Sequence, residues 1–303
     1  MKVQLLSHTL EPEKLIAGAA NICYSSKDLD RLMDDLTPEK SVDLVNKLID
    51  MQHESPLEHV TFTFGIEEVS RVVSHQLVRH RIASYSQRSQ RYVNENNAGY
   101  VIPESIKKDR RSESIYKEYV EEAFQNYQWM IETIVFHKML DWAEENWPEF
   151  DEQQIDMDLF DAYEWFEEEH PKLVKEFEKA AQEDARYLLP NACHTSIVVT
   201  MNARSLINFF HHRCCKRAQE EIRTLAWNML KLALEVAPAL FKNAGPACLY
   251  GPCPEKSYSC QKPYSGSKED IISKEYTDSV FLSVKKGLEE AIETIENTYT
   301  KEA

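Results

Sequence analysis

The hydrophobic positions of the chain follow two spacings, one typical of helices and one typical of strands. Residues 42–49 are apolar at helical spacing after Thr37 and a proline, which predicts a helix with Thr37 as its N-cap. Residues 60–66, VTFTFGI, alternate as in a half-buried strand, and residues 194–201, HTSIVVTM, are rich in β-branched residues and predict a second strand. Just before the first strand, residues 53–59 read HESPLEH, in which Ser and Glu three positions apart predict a capping box.

Longer helical patterns occupy much of the remaining chain. Residues 115–141 form one amphipathic pattern, and another runs from about residue 173 to 189, where a proline ends it. A helix is also expected from about residue 68 onwards. Asn202 is predicted to cap a further helix that continues, with a break, towards Phe241. The sequence thus predicts few strands and several helices.

Two stretches without acidic residues interrupt a strongly acidic chain. The formal net charge is -16, yet no Asp or Glu occurs in residues 79–91, RHRIASYSQRSQR, or in residues 185–219. We call these stretches the first and the second basic island. Clustered like charges repel, so a bound anion is expected to offset the repulsion. The cations of the second island are Arg186, Arg204, Arg213, Lys216 and Arg217.

The composition limits what this anion can be. An acidic chain is a poor general binder of nucleic acid, because contacts to phosphate supply most of that affinity. The seven glycines form neither a G-x-G-x-x-G motif nor a P-loop. A phosphate would therefore be held by arginines, whose planar fork pairs two oxygens at once, by hydroxyl groups and by helix N-termini.

The sequence also predicts the location of the protein and the state of its cysteines. The N-terminal stretch MKVQLLSHTLEPEK lacks the apolar core of a signal peptide, and no apolar run approaches the roughly 20 residues that span a bilayer. A cytoplasmic protein without a membrane partner is expected, with its seven cysteines reduced. Cys248, Cys253 and Cys260 lie without a fourth ligand nearby, so no metal site is predicted.

One motif of the first island is specific to a known family. Arg79-His80-Arg81, seven further residues and then Ser89 match the signature R-H-R-x7-S of the flavin-dependent thymidylate synthases. HESPLEH with the TFTF strand resembles the family's segment just upstream. NARSLINFF, followed by Arg213 and AQEEIR, resembles its second block. The resemblance covers residues 53–92 and 186–223.

The resemblance implies a fold and a reaction. The family has an α+β fold, a small antiparallel sheet packed with long helices, and works as a homotetramer with active sites shared between subunits. Methylenetetrahydrofolate donates one carbon to C5 of dUMP, reduced FAD supplies the hydride, and NADPH reduces the flavin. On this basis residues 1–243 are expected to form the synthase domain, with an acidic insertion around 141–184. Residues 244–303 are expected to be a cysteine-containing appendage.

The resemblance also assigns roles to residues. Arg213 is expected to polarise the uracil ring, where a cation stabilises negative charge that develops on the base. The residues expected to bind the nucleotide are Gln76, Leu77, Val78, Arg79, Gln87, Arg88, Ser89, Gln90, Arg91, Arg186 and Arg213. The residues expected to bind FAD are His53, Ser55, Arg79, His80, Arg81, Gln87, Asn202, Arg204 and Asn208.

Some positions depart from the family, and other functions stay open. Some members carry Glu where this chain has Gln87 and His where it has Arg217, so residue 217 is not assigned to the flavin. Ser89 is expected to bind or orient the phosphate, because apart from His80 no base lies near it in the island. The alternatives are a related flavoenzyme that hydroxymethylates a pyrimidine nucleotide and a nucleotide-binding homologue without turnover.

Overall fold

The computed structural model describes residues 1–95, 98–146, 159–275 and 280–281. The chain divides into two compact units. The first unit comprises Met1–Gln87 and Thr195–Ala303, and the second comprises Arg88–His194. The predicted boundaries at residues 141–184 and 244–303 fall partly on residues outside those described.

A single sheet has the strand order β3-β4-β2-β1-β5. Its strands are β1 Lys2–His8, β2 Thr61–Ser70, β3 Ser84–Gln87, β4 His194–Asn202 and β5 Val280–Phe281. β1 pairs with β2 and β3 pairs with β4 in antiparallel fashion. β2 and β4 are also antiparallel, since the Thr63 and Thr200 hydroxyls lie 2.9 Å apart and the Ala203 amide donates to the Val60 carbonyl at 3.0 Å. The small antiparallel sheet is confirmed, and β5 adds a short strand parallel to β1.

Helices make up most of the remaining structure. In chain order they are α1 Pro12–Ile22, α2 Leu29–Asp34, α3 Pro38–Asp50, α4 Arg71–Leu77, α5 Glu104–Lys107, α6 Arg110–Asn146, α7 Leu159–Glu169, α8 Pro171–Ala185, α9 Ala203–Arg213, α10 Glu220–Val236 and α11 Lys268–Glu275. The predicted N-cap Thr37 accepts from the Lys40 amide at 3.3 Å. The predicted break after Asn202 is confirmed between α9 and α10. The α+β fold class is confirmed.

The core of the first unit lies between the sheet and the helices that follow β4. Phe62 and Phe64 alternate with more exposed positions along β2, as the sequence pattern predicts. The Phe62 ring meets the edge of Phe241 at 5.2 Å, and Trp227 of α10 is fully buried in the same cluster. Burying one such aromatic side chain contributes about 1.5–3 kcal/mol, so this cluster fixes α9 and α10 against the sheet.

The second unit is helical and builds its own core. Tyr127, Ile131 and Val135 are buried along one side of α6. Val174 and Ala181 of α8 pack in the same cluster. The acidic segment from about residue 141 therefore includes helices with a buried apolar side, and the sequence predicted the one that begins near residue 173. Its centre, residues 147–158, lies outside the described residues.

One local prediction was wrong, and one helix begins about three residues later than predicted. The capping box at Ser55 and Glu58 does not form in the described structure, because Ser55–His59 is a 3-10 helix without a side-chain cap and Glu58 instead binds Arg204. The helix expected from residue 68 begins only at Arg71. β2 continues to Ser70, and Glu68 adopts φ 57° within it.

Candidate active site

The start of α4 is fixed by Glu221, which lies just after the second basic island. The Ser70 hydroxyl accepts a hydrogen bond from the Val73 amide at 3.2 Å, as an N-cap does. The Glu221 carboxylate accepts from the Ser70 amide at 2.8 Å and from its hydroxyl at 2.6 Å. Ser70 is buried, so these contacts satisfy polar groups that would otherwise be costly to bury.

The turn after α4 presents His80. The His80 amide donates to the Leu77 carbonyl at 3.1 Å. The Tyr85 hydroxyl lies 2.9 Å from the Leu77 carbonyl oxygen and 2.7 Å from that of His80, and its proton is shared between them. Burial raises the pKa of Tyr85 to about 12, so the phenol stays protonated and holds the turn. Tyr85 was not among the residues singled out from the sequence, although its place inside the first island is the signal that could have found it.

His80 and Arg213 meet at one hydrogen bond. Arg213 is the last residue of α9, and its Nε donates to His80 Nε2 at 3.1 Å. The His80 ring also lies edge-on to Phe209 at 4.9 Å. Because Nε2 accepts, the neutral ring carries its proton on Nδ1. Burial, and then the charges of Arg213 and His212, lower the pKa of His80 to about 4.

A cavity of about 890 Å³ opens beside this pair. His80, Asn208 and Arg213 line it, and so do residues of the segment 246–263. A cavity of this size suits a cofactor-sized ligand. Of the predicted flavin positions, the cavity brings together His80 and Asn208 with the predicted catalytic Arg213.

Other predicted flavin residues lie at the surface of the first unit. Arg204 pairs with Glu54 at 3.1 Å and with Glu58 at 2.5 Å, which keeps its guanidinium close to the 3-10 helix that contains Ser55. Asn202 caps α9, because its side-chain oxygen accepts from the Ser205 amide at 2.8 Å. Of the remaining five, His53, Ser55, Arg79 and Arg81 are exposed and Gln87 is half-buried.

Arg79 and Arg81 differ from the other arginines of the first unit's candidate site. Within the described part of the chain, neither makes a side-chain hydrogen bond or ion pair, and both are exposed. Arg204 and Arg213, in contrast, already have protein partners. The Arg79 and Arg81 guanidinium groups are therefore available for an anionic ligand such as a pyrophosphate.

The nucleotide positions are divided over the two units. In the first, Gln76 donates to Gln219 at 2.5 Å and Gln87 to Thr195 at 3.2 Å. Leu77 is fully buried and its carbonyl accepts from Tyr85 and His80, so it is not presented to a ligand, whereas Val78 is 37% exposed.

In the second unit, Glu183 binds Arg91 and Arg186, two of the three arginines of this unit that are expected to bind the nucleotide. Arg91 donates to the Glu183 carboxylate from Nε at 2.6 Å and also from Nη2. Arg186 Nε donates to the Glu183 carbonyl at 3.1 Å. Ser89 Oγ accepts from the Arg91 amide at 3.2 Å. Among the other predicted residues of this unit, Arg88 is exposed and Gln90 is buried.

The two islands contain no acidic residues in sequence. In the folded protein, however, carboxylates from other parts of the chain contact their arginines. Arg91 meets Glu183, Arg204 meets Glu54 and Glu58, and Arg217 meets Glu255 at 2.8 Å. Each carboxylate comes from a distant part of the chain. Sequence spacing alone could not reveal these partners, because folding brings them together over separations of up to 150 residues.

Two further features concern metal binding and membrane insertion. In the part of the chain that the structure describes, no group of three or more His, Cys, Asp or Glu residues is arranged to hold a metal ion. No helix among the described residues combines the length and apolar character needed to cross a membrane.

Comparisons with known proteins agree on one family. The family model "Thymidylate synthase complementing protein" matches residues 4–239. The flavin-dependent thymidylate synthase of Clostridium tetani is 47% identical over 262 residues, 86% of this chain and 94% of the relative. That of Geobacter sulfurreducens is 40% identical over 264 residues, with the same two coverages. A UMP/dUMP methylase, PolB from Streptomyces cacaoi bound with 5-Br dUMP, shares the fold with a TM-score of 0.55 at 19% identity, covering 80% of this chain and 95% of that one.

Proposed function

Because the chain belongs to the flavin-dependent thymidylate synthase family, we propose that it converts dUMP to dTMP with methylenetetrahydrofolate as the carbon donor. The observation that carries the proposal is the His80–Arg213 hydrogen bond at the edge of a cavity of about 890 Å³. Both residues occupy positions to which the family motifs assign a role. Bound FAD, reduced by NADPH, would supply the hydride that completes the methyl group.

The candidate residues of the first unit have the polarity and charge that binding of a flavin cofactor requires. Neutral His80 and the Asn208 amide line the cavity, where they can donate to or accept from a ring system without adding charge. Arg79 and Arg81 are exposed cations that could pair with the pyrophosphate. These features support FAD as the cofactor, held also by the predicted positions His53, Ser55, Gln87, Asn202 and Arg204.

Arg213 is proposed to act on the uracil ring. Arg213 is half-buried, and only its Nε donates to His80 in the contacts described, so its remaining N–H groups are available to a second acceptor. Negative charge develops on the base as the new carbon bond forms, and a fixed cation at low dielectric stabilises that charge. Arg91 and Arg186 are proposed to hold the phosphate in place of Glu183, with Ser89 as an orienting hydroxyl.

We also propose the assembly and location that the family implies. A homotetramer would allow exposed residues such as Arg79 and Arg81 to serve a site shared with another subunit. Light scattering on the purified protein should give four times the chain mass of 35.3 kDa. A mass of one chain that persists with FAD and dUMP bound would contradict the shared site. The cytoplasmic location stays a prediction.

The test of this function begins with the colour of the protein. The purified protein should be yellow and should release FAD on acid precipitation, and added dUMP should perturb its visible spectrum. A colourless protein that does not take up FAD would contradict the proposal. Product analysis separates the alternatives, since a hydroxymethylase would leave a hydroxymethyl group on C5 and a homologue without turnover would bind FAD but form no dTMP.

A further inference from the structure

A segment beyond the family-model match lines the same cavity as His80 and Arg213. The match ends at residue 239, and we call residues 246–263 the strap. The strap residues that line the cavity include Ala247, Cys248, Cys253, Glu255, Cys260 and Lys262. Asn208 and Arg213 of α9 line the same cavity. A ligand that reaches Arg213 from this cavity therefore enters a space that the strap also lines.

The loop that follows Arg213 holds the strap. Arg217 Nη1 donates to the Glu255 carboxylate at 2.8 Å and to the Tyr258 carbonyl at 2.7 Å. Lys216 Nζ donates to the Pro263 carbonyl at 3.3 Å. Arg217 thus combines an ion pair with a charge-assisted bond to the backbone, which fixes a position more specifically than a surface ion pair alone.

Both ends of the strap are anchored in the first unit. Tyr250 donates from its hydroxyl to the Lys242 and Ala244 carbonyls, at 3.2 and 3.0 Å. After the strap, the Tyr264 hydroxyl accepts from Trp227 Nε1 at 3.4 Å. Ile271 and Ile272 of α11 are then buried in the core. The predicted appendage is thus integrated with the fold in its described part up to residue 275.

We propose that the strap is a wall of the catalytic site and that Arg217 is the residue that positions it. The inference rests on the proposed function, because it takes the cavity at His80 and Arg213 as the place where FAD and dUMP bind. Some family members have His at position 217, where the resemblance would put a flavin contact. Here Arg217 is directed to the strap instead. Arg217 would thus act on the flavin indirectly, through the wall that it holds.

Cysteines of the strap allow the proposal to be tested on the unaltered protein by chemical labelling. Cys253 and Cys260 line the cavity, whereas Cys23 is exposed at the end of α1 and does not line it. N-ethylmaleimide labelling, read by mass spectrometry, should be slowed at Cys253 and Cys260 by FAD with dUMP and unchanged at Cys23. We expect protection of about tenfold or more. Equal labelling of the strap cysteines with and without bound ligands, in protein whose spectrum shows that FAD is bound, would overturn the proposal.

A variant pair tests the role of Arg217. Arg217→Gln should weaken FAD binding and speed labelling of Cys260 in the FAD-bound protein, each by about three- to tenfold, the scale of an ordinary hydrogen bond between partly exposed groups. Arg217→Lys should recover part of both effects because it retains the charge. Lys2→Gln is the matched control, since the Lys2–Glu68 pair is similar, at 2.6 Å and with 44% and 42% exposure against 49% and 53% for Arg217–Glu255.

The possible outcomes distinguish a failure of the strap proposal from a failure of the proposed function. Unchanged FAD affinity and labelling in Arg217→Gln would overturn the positioning role. Equal changes in Arg217→Gln and Lys2→Gln would do the same, because they would reflect general loss of stability. If the unaltered protein bound no FAD at all, the proposed function would fail first, and the visible spectrum would show this before any labelling.

Discussion

Arg213 donates a hydrogen bond from Nε to Nε2 of His80 across 3.1 Å, and this bond joins the two sequence motifs of the candidate site. His80 comes from the turn after α4, and Arg213 ends α9. The bond requires a neutral His80, because a protonated ring has no lone pair to accept it. A permanent cation and a neutral imidazole thus lie side by side at the cavity.

Replacing Arg213 should affect turnover more than binding. A contact that strengthens as charge develops lowers kcat when it is removed, whereas a ground-state contact raises KM. We expect Arg213→Ala to lower kcat by about 100-fold or more, the scale of losing one oxyanion-type donor. Reduction of the flavin by NADPH without dUMP should persist. Stopped-flow measurement of both half-reactions checks this.

Arg213→Lys is the companion variant. It keeps the positive charge but loses the planar fork, so its kcat should lie between those of Arg213→Ala and the unaltered protein. A normal kcat for Arg213→Ala at saturating dUMP would mean that Arg213 only binds the substrate. A large fall in FAD affinity in both variants would mean that its main effect passes through His80.

The stability of the protein should depend on His80 at mildly acidic pH. The pKa of His80 is about 4 in the folded protein against 6.5 for an unperturbed histidine. Between these values the unfolded chain binds more protons, so the free energy of unfolding should fall as pH falls from about 6.5 to about 4. His80→Gln can still accept from Arg213 and does not titrate. Urea unfolding across this range should show a smaller pH dependence in that variant, and parallel curves would contradict the assignment.

Replacing Arg91 and replacing Glu183 should change the affinity for dUMP in opposite directions. Arg91→Ala should weaken dUMP binding by roughly ten- to 150-fold, since a charge-assisted hydrogen bond contributes about 1.5–3 kcal/mol. It should also remove much of the preference for dUMP over deoxyuridine. Glu183→Gln should tighten dUMP binding by about two- to fivefold, because the carboxylate that competes with phosphate loses its charge.

Glu113→Gln is the control for Glu183. Glu113 forms an ion pair with Lys117 on α6, in the same unit, and neither residue is a predicted site residue. Its removal should leave dUMP binding unchanged in isothermal titration calorimetry. Weaker dUMP binding in Glu183→Gln would show that Glu183 positions Arg91 for the phosphate and does not compete with it.

The cysteines of the strap should bind no stoichiometric metal. The sequence placed no fourth ligand near Cys248, Cys253 and Cys260, although the structure adds Cys215 to the lining of the same cavity. Elemental analysis of protein purified without chelator should give far less than one zinc or iron per chain. One zinc per chain that is lost in Cys253→Ser would contradict this prediction.

The sequence predicted the helices and strands better than the side-chain contacts between them. Periodicity found β2, α6 and α8 because each buries one side of a regular element, and β-branched residues found β4. It missed the 3-10 helix at Ser55–His59, where Arg204 recruits Glu58 away from a local cap. The motif residues His80 and Arg213 were found, but their hydrogen bond spans 133 positions and depends on the fold.

The position of the strap was even harder to predict from the sequence. Its composition of proline, glycine, serine and cysteine has no helical or strand period, so the sequence predicted only an appendage. Its position depends on side-chain bonds from Arg217 and Lys216 to backbone carbonyls. Such contacts leave no pattern along the chain, because a carbonyl acceptor is present at every residue.

The most direct test of the central claim is the identity of both products. The protein should be incubated with dUMP, methylenetetrahydrofolate, FAD and NADPH, and the nucleotides and folates separated by chromatography with mass detection. We predict dTMP together with an equal amount of tetrahydrofolate, and no dTMP when NADPH is omitted and the flavin is oxidised. Formation of dTMP with stoichiometric dihydrofolate in the absence of NADPH would contradict the account, because the hydride would then come from the folate and not from the flavin.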